Sequence, residues 1–141
     1  MKSEPDCIFC NIIEKKAQAE IVYEDSQVIA FLDIRPLTYG HTLVVPKIHC
    51  KNILTVPEEY FHQLFKVVQN ISKGLVKSFN LDGFNVISNN GIVAGQSVFH
   101  FHFHVIPRFH NDGHKIKLDL KKYNEGEMKE YADKIRKALD N

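Results

Sequence analysis

The 141-residue sequence has no long hydrophobic run, no excess of one charge and no even set of cysteines. No stretch approaches the roughly 18 consecutive apolar residues that a membrane-spanning helix needs. Eighteen basic residues against 17 acidic ones leave a formal net charge of +1, so electrostatics gives no reason to expect a nucleic acid or a membrane as the partner. The first residues, MKSEPDCIFC, lack the apolar segment of a secretory signal peptide, and we therefore expect a cytoplasmic protein.

Internal repeats and low-complexity tracts are also absent, and the length suits one domain, residues 1–141, with a core of its own. The three cysteines, Cys7, Cys10 and Cys50, cannot all pair in disulfides. The first two are spaced as Cys-x-x-Cys, which in a chain without an export signal indicates metal or redox use.

The hydrophobic pattern predicts an α+β fold with an antiparallel sheet. The predicted strands are residues 21–23, 28–32, 41–46, 83–88 and 97–107. Apolar residues at three- and four-residue spacing from Phe61 to Phe79 predict a long amphipathic helix that covers one face of the sheet. Thr55 and Glu58 predict a capping box at its start. Residues 125–139 predict a second helix, for packing or subunit contact.

The most informative stretch is VFHFHFHVIPR, where three histidines alternate with apolar residues; they are His100, His102 and His104. On a strand, residues two apart share a face, so the histidines should point outward while the phenylalanines anchor the strand in the core. The outer two histidines would lie about 13 Å apart at Cα, which disfavours one metal ion held by all three. A merely exposed histidine-rich strand is disfavoured as well, because strand preference does not call for histidine.

A catalytic interpretation fits this stretch better. A neutral imidazole is a good nucleophile near pH 7 and can attack phosphorus, while a second imidazole assists the leaving group. The preceding loop, NNGIVAGQSV, supplies glycines, amides and a hydroxyl suited to holding an anion. The pattern therefore favours phosphoryl or nucleotidyl transfer over acyl transfer.

The segment HFHFHVI resembles the His-x-His-x-His-x-x signature of the histidine triad (HIT) family, with hydrophobic residues between the histidines. The resemblance extends to CIFCNII, AFLDIRPLTYGHTLVVPKIH and NNGIVAGQSVFH, and so covers about residues 5–108, leaving 109–141 as a C-terminal extension. It is similar to the bacterial Hint-like branch. The resemblance implies a HIT-like fold with a five-stranded antiparallel sheet and a long helix, a homodimer, and purine nucleotides as ligands.

The activity implied by the resemblance is hydrolysis at the α-phosphate of nucleoside phosphoramidates or related conjugates. By the same match, His102 is the nucleophile that forms a nucleotidyl-histidine, His104 acts near the leaving group, and His41 is a further active-site histidine. The implied substrate-binding residues are Asp33 at the ribose, Ile34 at the base, and Asn89, Gln96 and Ser97 near the phosphate. Two alternatives remain open: a dinucleoside polyphosphate hydrolase, and a nucleotide-binding adaptor whose hydrolysis is incidental.

The cysteine pair supplies half of a tetrahedral zinc site. Spacing alone leaves the other two ligands open among His49, Cys50, His100, and the pair His110 and His114. The family resemblance implies a structural Zn²⁺ held by Cys7, Cys10, His49 and His100, while two buried reduced cysteines are the alternative. For the remaining groups we expect Cys50 to pack in the core, Arg108 to form an ion pair at a strand end, and His110 and His114 to lie at the rim of the site.

Overall fold

A computed structural model describes residues 3–115 and 117–139 of the chain. The helices in these ranges are α1 (Ile8–Ile13), α2 (Phe61–Phe79) and α3 (Glu127–Leu139), and the strands are β1 (Ile21–Glu24), β2 (Val28–Leu32), β3 (Thr42–Pro46), β4 (Gly83–Ile87) and β5 (Phe103–Arg108). The strands form one antiparallel sheet in the order β1-β2-β3-β5-β4. The predicted five-stranded α+β architecture is confirmed.

Both faces of β2 and β3 are covered, which explains why these strands are apolar at nearly every position. On one face α2 packs against alternate strand residues in a cluster that includes Val28, Val44, Leu64, Val67, Phe101 and Val105. On the other face α1 packs against the intervening residues in a second cluster, Phe9, Ile12, Ile29, Phe31, Leu43 and Val45. The histidines lie beside this second cluster.

The short helix α1 was not predicted, because six residues are too few to show helical periodicity. Cys7 is its N-cap, and the Cys7 sulfur accepts a hydrogen bond from the backbone N–H of Cys10 over 3.3 Å. Three residues of this helix are buried: Phe9, Cys10 and Ile12. The Cys-x-x-Cys spacing is therefore built into a helical turn that covers the sheet.

The predicted capping box of Thr55 with Glu58 is wrong. Thr55 closes a short 3₁₀ turn whose cap is Asn52: the Asn52 side chain accepts from the N–H of Leu54 over 3.0 Å. A second 3₁₀ turn, Glu58–Tyr60, separates it from α2, which begins at Phe61 as the periodicity predicts. The hydroxyl of Thr55 is bonded to the backbone of Asn52 instead: it donates to the Asn52 carbonyl over 3.1 Å and accepts from the Asn52 N–H over 3.5 Å.

The predicted start of the fifth strand at residue 97 is also wrong, because β5 begins at Phe103 and the segment before it is irregular. The division of faces still holds near the strand: Phe101 and Val105 join the cluster under α2. The expectation that the histidines point outward is wrong, since His100 is 0% and His102 7% exposed. The residues of α1 cover this face and bury them.

The C-terminal helix runs over Glu127–Leu139, two residues shorter than the predicted range, and none of its described residues is buried. The predicted ion pair at the end of β5 is confirmed: Arg108 Nε lies 2.8 Å from a carboxylate oxygen of Asp112. Within 3–115 and 117–139, no helix combines the length and apolar character that crossing a membrane requires.

Candidate active site and metal centre

Four side chains from three separate segments converge beside α1: Cys7, Cys10, His49 and His100. Their candidate ligand atoms all lie within 4.8 Å of one another. The Nδ1 atom of His100 is 3.3 Å from the sulfur of Cys7 and 3.5 Å from that of Cys10, and His49 Nδ1 is 3.4 Å from the Cys10 sulfur. In the described part of the chain, Cys50, His110 and His114 do not belong to this group.

The hydrogen bonds of His100 direct a lone pair into this cluster. Its Nε2 lies 2.8 Å from the carbonyl oxygen of Pro46 and must donate a hydrogen to it, so Nδ1 carries no proton in the neutral ring. Burial lowers the pKa of His100 to about 4, which keeps the ring neutral. Two sulfurs and two imidazole nitrogens are a donor set that suits tetrahedral zinc. Burial raises the pKa of the Cys7 thiol to about 11, so a metal ion would have to displace the thiol proton.

A cleft of about 400 Å³ lies next to the cluster, on the same side of the sheet. Its apolar wall includes Phe9, Ile12, Phe31 and Leu43, and its polar residues include Asp33, Ser97, His102 and His104. Ile34, which is 90% exposed, stands at its edge. The volume and the mixed lining suit a small-molecule ligand with one apolar and one polar end.

His102 lines this cleft, and one of its ring nitrogens is unprotonated. Its Nδ1 is 2.7 Å from the carbonyl oxygen of His100, and since a carbonyl only accepts, Nδ1 bears the hydrogen. The lone pair of the neutral ring is then on Nε2. Burial lowers the pKa of His102, so the ring stays in the neutral, nucleophilic form near pH 7.

A main-chain N–H fixes the tautomers of His41 and His104. The N–H of Leu37 donates to Nδ1 of His41 over 3.0 Å, so the hydrogen of the neutral His41 ring is on Nε2. That Nε2 is 2.9 Å from Nδ1 of His104 and 3.7 Å from a carboxylate oxygen of Asp33. His104 therefore accepts at Nδ1 and has its own hydrogen on Nε2.

The group of Asp33, His41 and His104 also has the spacing of possible metal ligands. The bond from Leu37 argues against that use, because a metal on Nε2 of His41 would displace the only ring proton while Nδ1 remains an acceptor. The two clusters therefore differ in chemistry. The cysteine cluster brings four candidate ligand atoms together, whereas this one holds a hydrogen between two of its members.

The remaining predicted residues belong to the loop before the histidines. The buried amide of Gln96 accepts from the N–H of Gly91 over 2.8 Å and donates to the carbonyls of Lys51 and Val98 over 2.7 and 3.1 Å. Its side chain thus braces the loop, while Ser97 lines the cleft. Asn89 is the first residue of the same loop and has its side-chain amide near Gly95; neither Asn89 nor Gln96 lines the cleft.

Sequence reasoning missed several contributors to the site. The carbonyls of Pro46 and His100 and the N–H of Leu37 fix the histidine tautomers, and backbone groups leave no signal in residue type. Phe9 was missed too, although its place between the two cysteines could have drawn attention to it.

The fold and the site define an α+β protein in which a central strand and the segment before it present histidines to a small-molecule cleft. Residues 14–111 match the model of the HIT domain, and the chain therefore belongs to the HIT family. The predicted family is confirmed.

Among relatives, a HIT-like protein of Borreliella burgdorferi is 47% identical over 131 residues, which are 87% of this chain and 94% of that protein. An adenosine 5'-monophosphoramidase of Candida albicans is 37% identical over 112 residues, covering 77% of this chain and 74% of that protein. An adenylylsulfatase of Arabidopsis thaliana is 37% identical over 123 residues, covering 81% and 62%.

Solved structures agree with the fold. A HIT family protein from Bacillus anthracis is 41% identical with a TM-score of 0.88, covering 96% of this chain and 99% of that one. A zinc-bound histidine triad family protein from Mycobacterium smegmatis is 38% identical with a TM-score of 0.74, covering 82% and 84%.

Proposed function

We propose that this protein is a hydrolase that cleaves purine nucleotides at the α-phosphate, with nucleoside phosphoramidates as the substrate type, through a nucleotidyl-histidine on His102. The observation that carries the proposal is the bond from His102 Nδ1–H to the His100 carbonyl, which leaves the Nε2 lone pair available in the cleft. Relatives that act as an adenosine 5'-monophosphoramidase and an adenylylsulfatase support this reaction class.

In the first step, Nε2 of His102 forms a bond to phosphorus, and the bond from phosphorus to the leaving group breaks with its electron pair on the departing atom. His104 is the residue we assign to that atom, because its Nε2–H is free to donate once Nδ1 accepts from His41. In the second step water attacks phosphorus, the N–P bond returns its electrons to His102, and a proton of the water replaces the one that His104 gave to the leaving group in the first step. One water molecule is consumed overall: its proton ends on the leaving group and its hydroxyl on the nucleotide.

The cleft suits the other parts of a nucleotide. Asp33 offers a carboxylate to the ribose hydroxyls, and the apolar wall with Ile34 at its edge offers a surface for the base. Ser97 and the loop that begins at Asn89 and is braced by Gln96 are assigned to the phosphate.

We further propose that the cluster of Cys7, Cys10, His49 and His100 binds a structural zinc ion. The four donors fit zinc in kind and in their convergence, and a zinc-bound relative from M. smegmatis supports the assignment. A closed four-ligand site would tie α1 to the segments that carry His49 and His100. The chemical steps remain with His102, His104 and His41.

A homodimer of single HIT domains, each spanning 1–141 with its core at about 5–108, is the proposed assembly. Large apolar side chains are exposed on turns near the histidine segment: Leu54 is 87%, Ile92 78% and Val93 105% exposed. The Asn90 side chain accepts from the N–H of Ile53 and so joins these two turns into one surface. We expect wild type to sediment at twice the monomer mass and Val93→Glu to sediment as a monomer; a monomeric wild type would contradict this.

The experiment that tests the reaction is intact-protein mass spectrometry after rapid quenching with adenosine phosphoramidate. We expect an acid-labile adduct of one adenylate on wild type and on His62→Ala, an exposed histidine of α2, and none on His102→Ala. Tight nucleotide binding without any adduct would favour the adaptor alternative. Faster turnover of diadenosine tetraphosphate than of the phosphoramidate would favour the dinucleoside polyphosphate alternative.

A further inference from the structure

Phe9 belongs to the apolar wall proposed to hold the base, and its ring also contacts two of the site histidines, which that role does not explain. It lies in α1 between Cys7 and Cys10, and its side chain is 6% exposed. Its ring meets the ring of His102 edge-on, with centroids 5.0 Å apart and planes at 87°. The same ring meets that of His100 at 5.9 Å and 65°. One aromatic ring thus contacts a histidine of the metal cluster and the histidine of the cleft.

The imidazole of His102 depends on such contacts for its orientation. It precedes β5, so no strand ladder holds its backbone. Its Nδ1–H bond to the His100 carbonyl fixes one atom of the ring, and the edge-to-face contacts with Phe9 and, at 4.8 Å and 63°, with His104 select the plane of the ring. Two of these three restraints come from His100, a proposed metal ligand, and from Phe9, which lies between the ligands Cys7 and Cys10.

The placement of Phe9 depends in turn on α1. A helix of six residues does not persist by itself, so packing and side-chain links must hold it on the sheet. Phe9 and Ile12 pack into the apolar cluster, and Cys7 and Cys10 face His49 and His100 across 3.3–3.5 Å. Bonds of about 2.0–2.3 Å from these four residues to one zinc ion would replace weak sulfur contacts by a rigid link.

We propose that Phe9 is a positioning residue for His102, and that metal bound at the cysteine–histidine cluster fixes α1 so that the ring of Phe9 stays against this imidazole. The inference rests on the proposed function only where it assigns the attack on phosphorus to His102. The geometric part, a metal-dependent orientation of the His102 ring, is independent of any activity.

The first test is a two-bond hydrogen–nitrogen correlation spectrum of protein labelled with ¹⁵N-histidine, in which His102→Ala identifies the signals of His102. Zinc-loaded wild type should show a single tautomer with the hydrogen on Nδ1. Zinc-loaded Phe9→Leu and zinc-stripped wild type should both show a mixture of tautomers. The matched control is zinc-loaded Ile29→Val, which removes one methylene group from β2 in the same apolar cluster, and it should keep the single tautomer.

The second test separates positioning from simple contact with substrate, since Phe9 also lines the cleft. With adenosine phosphoramidate, Phe9→Leu should lower kcat about 10- to 100-fold, the usual effect of losing a supporting residue, with a smaller change in KM. Ile29→Val should leave kcat within about threefold of wild type. If Phe9→Leu does not fold, Phe9→Met, which preserves volume, takes its place.

A single His102 tautomer in Phe9→Leu, or a change in KM alone, would overturn the positioning role. A single tautomer in zinc-stripped wild type would overturn the part assigned to the metal. These outcomes differ from failure of the proposed function, which would appear as full activity in His102→Ala while the spectra of the Phe9 variant still changed.

Discussion

The N–H of Leu37 and the Nδ1 atom of His41 are 3.0 Å apart, and this bond sets the direction of the hydrogen between two histidines. Because Nδ1 of His41 is an acceptor, its Nε2–H must point to His104, whose Nδ1 is 2.9 Å away. Through the ring of His41, the main-chain N–H of Leu37 thereby determines that His104 carries its hydrogen on Nε2. The two histidines that line the cleft therefore differ at Nε2: this atom has a lone pair in His102 and a hydrogen in His104.

Substitution of His41 tests this arrangement. His41→Ala should lower the single-turnover rate with adenosine phosphoramidate about 10- to 100-fold, because His104 loses the donor that selects its tautomer. His41→Gln, whose side-chain amide can still donate, should retain more activity than His41→Ala. His62→Ala is the control for loss of a histidine elsewhere, and a wild-type rate in His41→Ala would show that the orientation of His104 does not matter.

Loss of one zinc ligand should cost the ion and much of the stability. We expect about one zinc per chain in wild type by atomic emission, and Cys7→Ser or His49→Ala should abolish it and lower Tm by roughly 10 °C, since the energy of metal binding contributes to folding. Cys50→Ala, which removes the third cysteine, should keep the ion. A wild type purified without metal under non-chelating conditions would refute the zinc proposal.

The stability of the fold should depend on pH through His104. Burial, and then the neighbouring His102 and His41, lower its pKa to about 4, below the value of about 6.5 expected in the unfolded chain. Between these values the unfolded chain binds a proton that the folded chain does not. The contribution of His104 is therefore fully present above pH 6.5 and is lost as the pH falls towards 4.

Urea unfolding at pH 7.5 and pH 5 measures this contribution. The loss of unfolding free energy between the two pH values should be smaller in His104→Gln than in wild type, by on the order of 1 kcal/mol after allowance for the solvent-exposed part of the ring. Glutamine keeps an acceptor for His41. Equal losses in the two proteins would mean that other buried groups, and not His104, account for the acid sensitivity.

Asp33 should act through binding and sugar selectivity. One of its oxygens accepts from the N–H of Arg35 over 2.9 Å, and this bond orients the carboxylate at the edge of the cleft. Asp33→Ala should raise KM for adenosine phosphoramidate by about tenfold, roughly the loss of one hydrogen bond to a charged group. It should also reduce the preference over the 2'-deoxy analogue; if the preference were unchanged, the carboxylate would not contact the ribose.

The sequence predicted the strands and the long helix well where apolar periodicity was strong, as from Phe61 to Phe79. It failed where local polar groups compete. Thr55 pairs with Asn52 in a 3₁₀ turn and not with Glu58 at the start of α2. Bends at residues 98–100 precede β5, which therefore begins later than predicted. Neither competition is visible in hydrophobic patterning.

The residues of the site could be selected from the sequence, but their tautomers could not. The positions of His102 and Asp33 were selected by family resemblance, and the structure brings both to one cleft. The tautomer of each ring depends on backbone atoms such as the Pro46 carbonyl, and a residue of any type has such a carbonyl. Burial of His100 came from α1, a helix too short to predict.

The strand order has a consequence for how the two cleft histidines can move. His104 is paired with Leu43 of β3 on one side and with Ile87 of β4 on the other, so it can leave its place only when both neighbours open. Such doubly paired positions belong to the last part of a fold to unfold locally. His102 precedes β5 and is outside these ladders. The proposed nucleophile, His102, is therefore held by one hydrogen bond and by ring contacts, whereas the proposed hydrogen donor, His104, is held by the backbone pairing of the sheet.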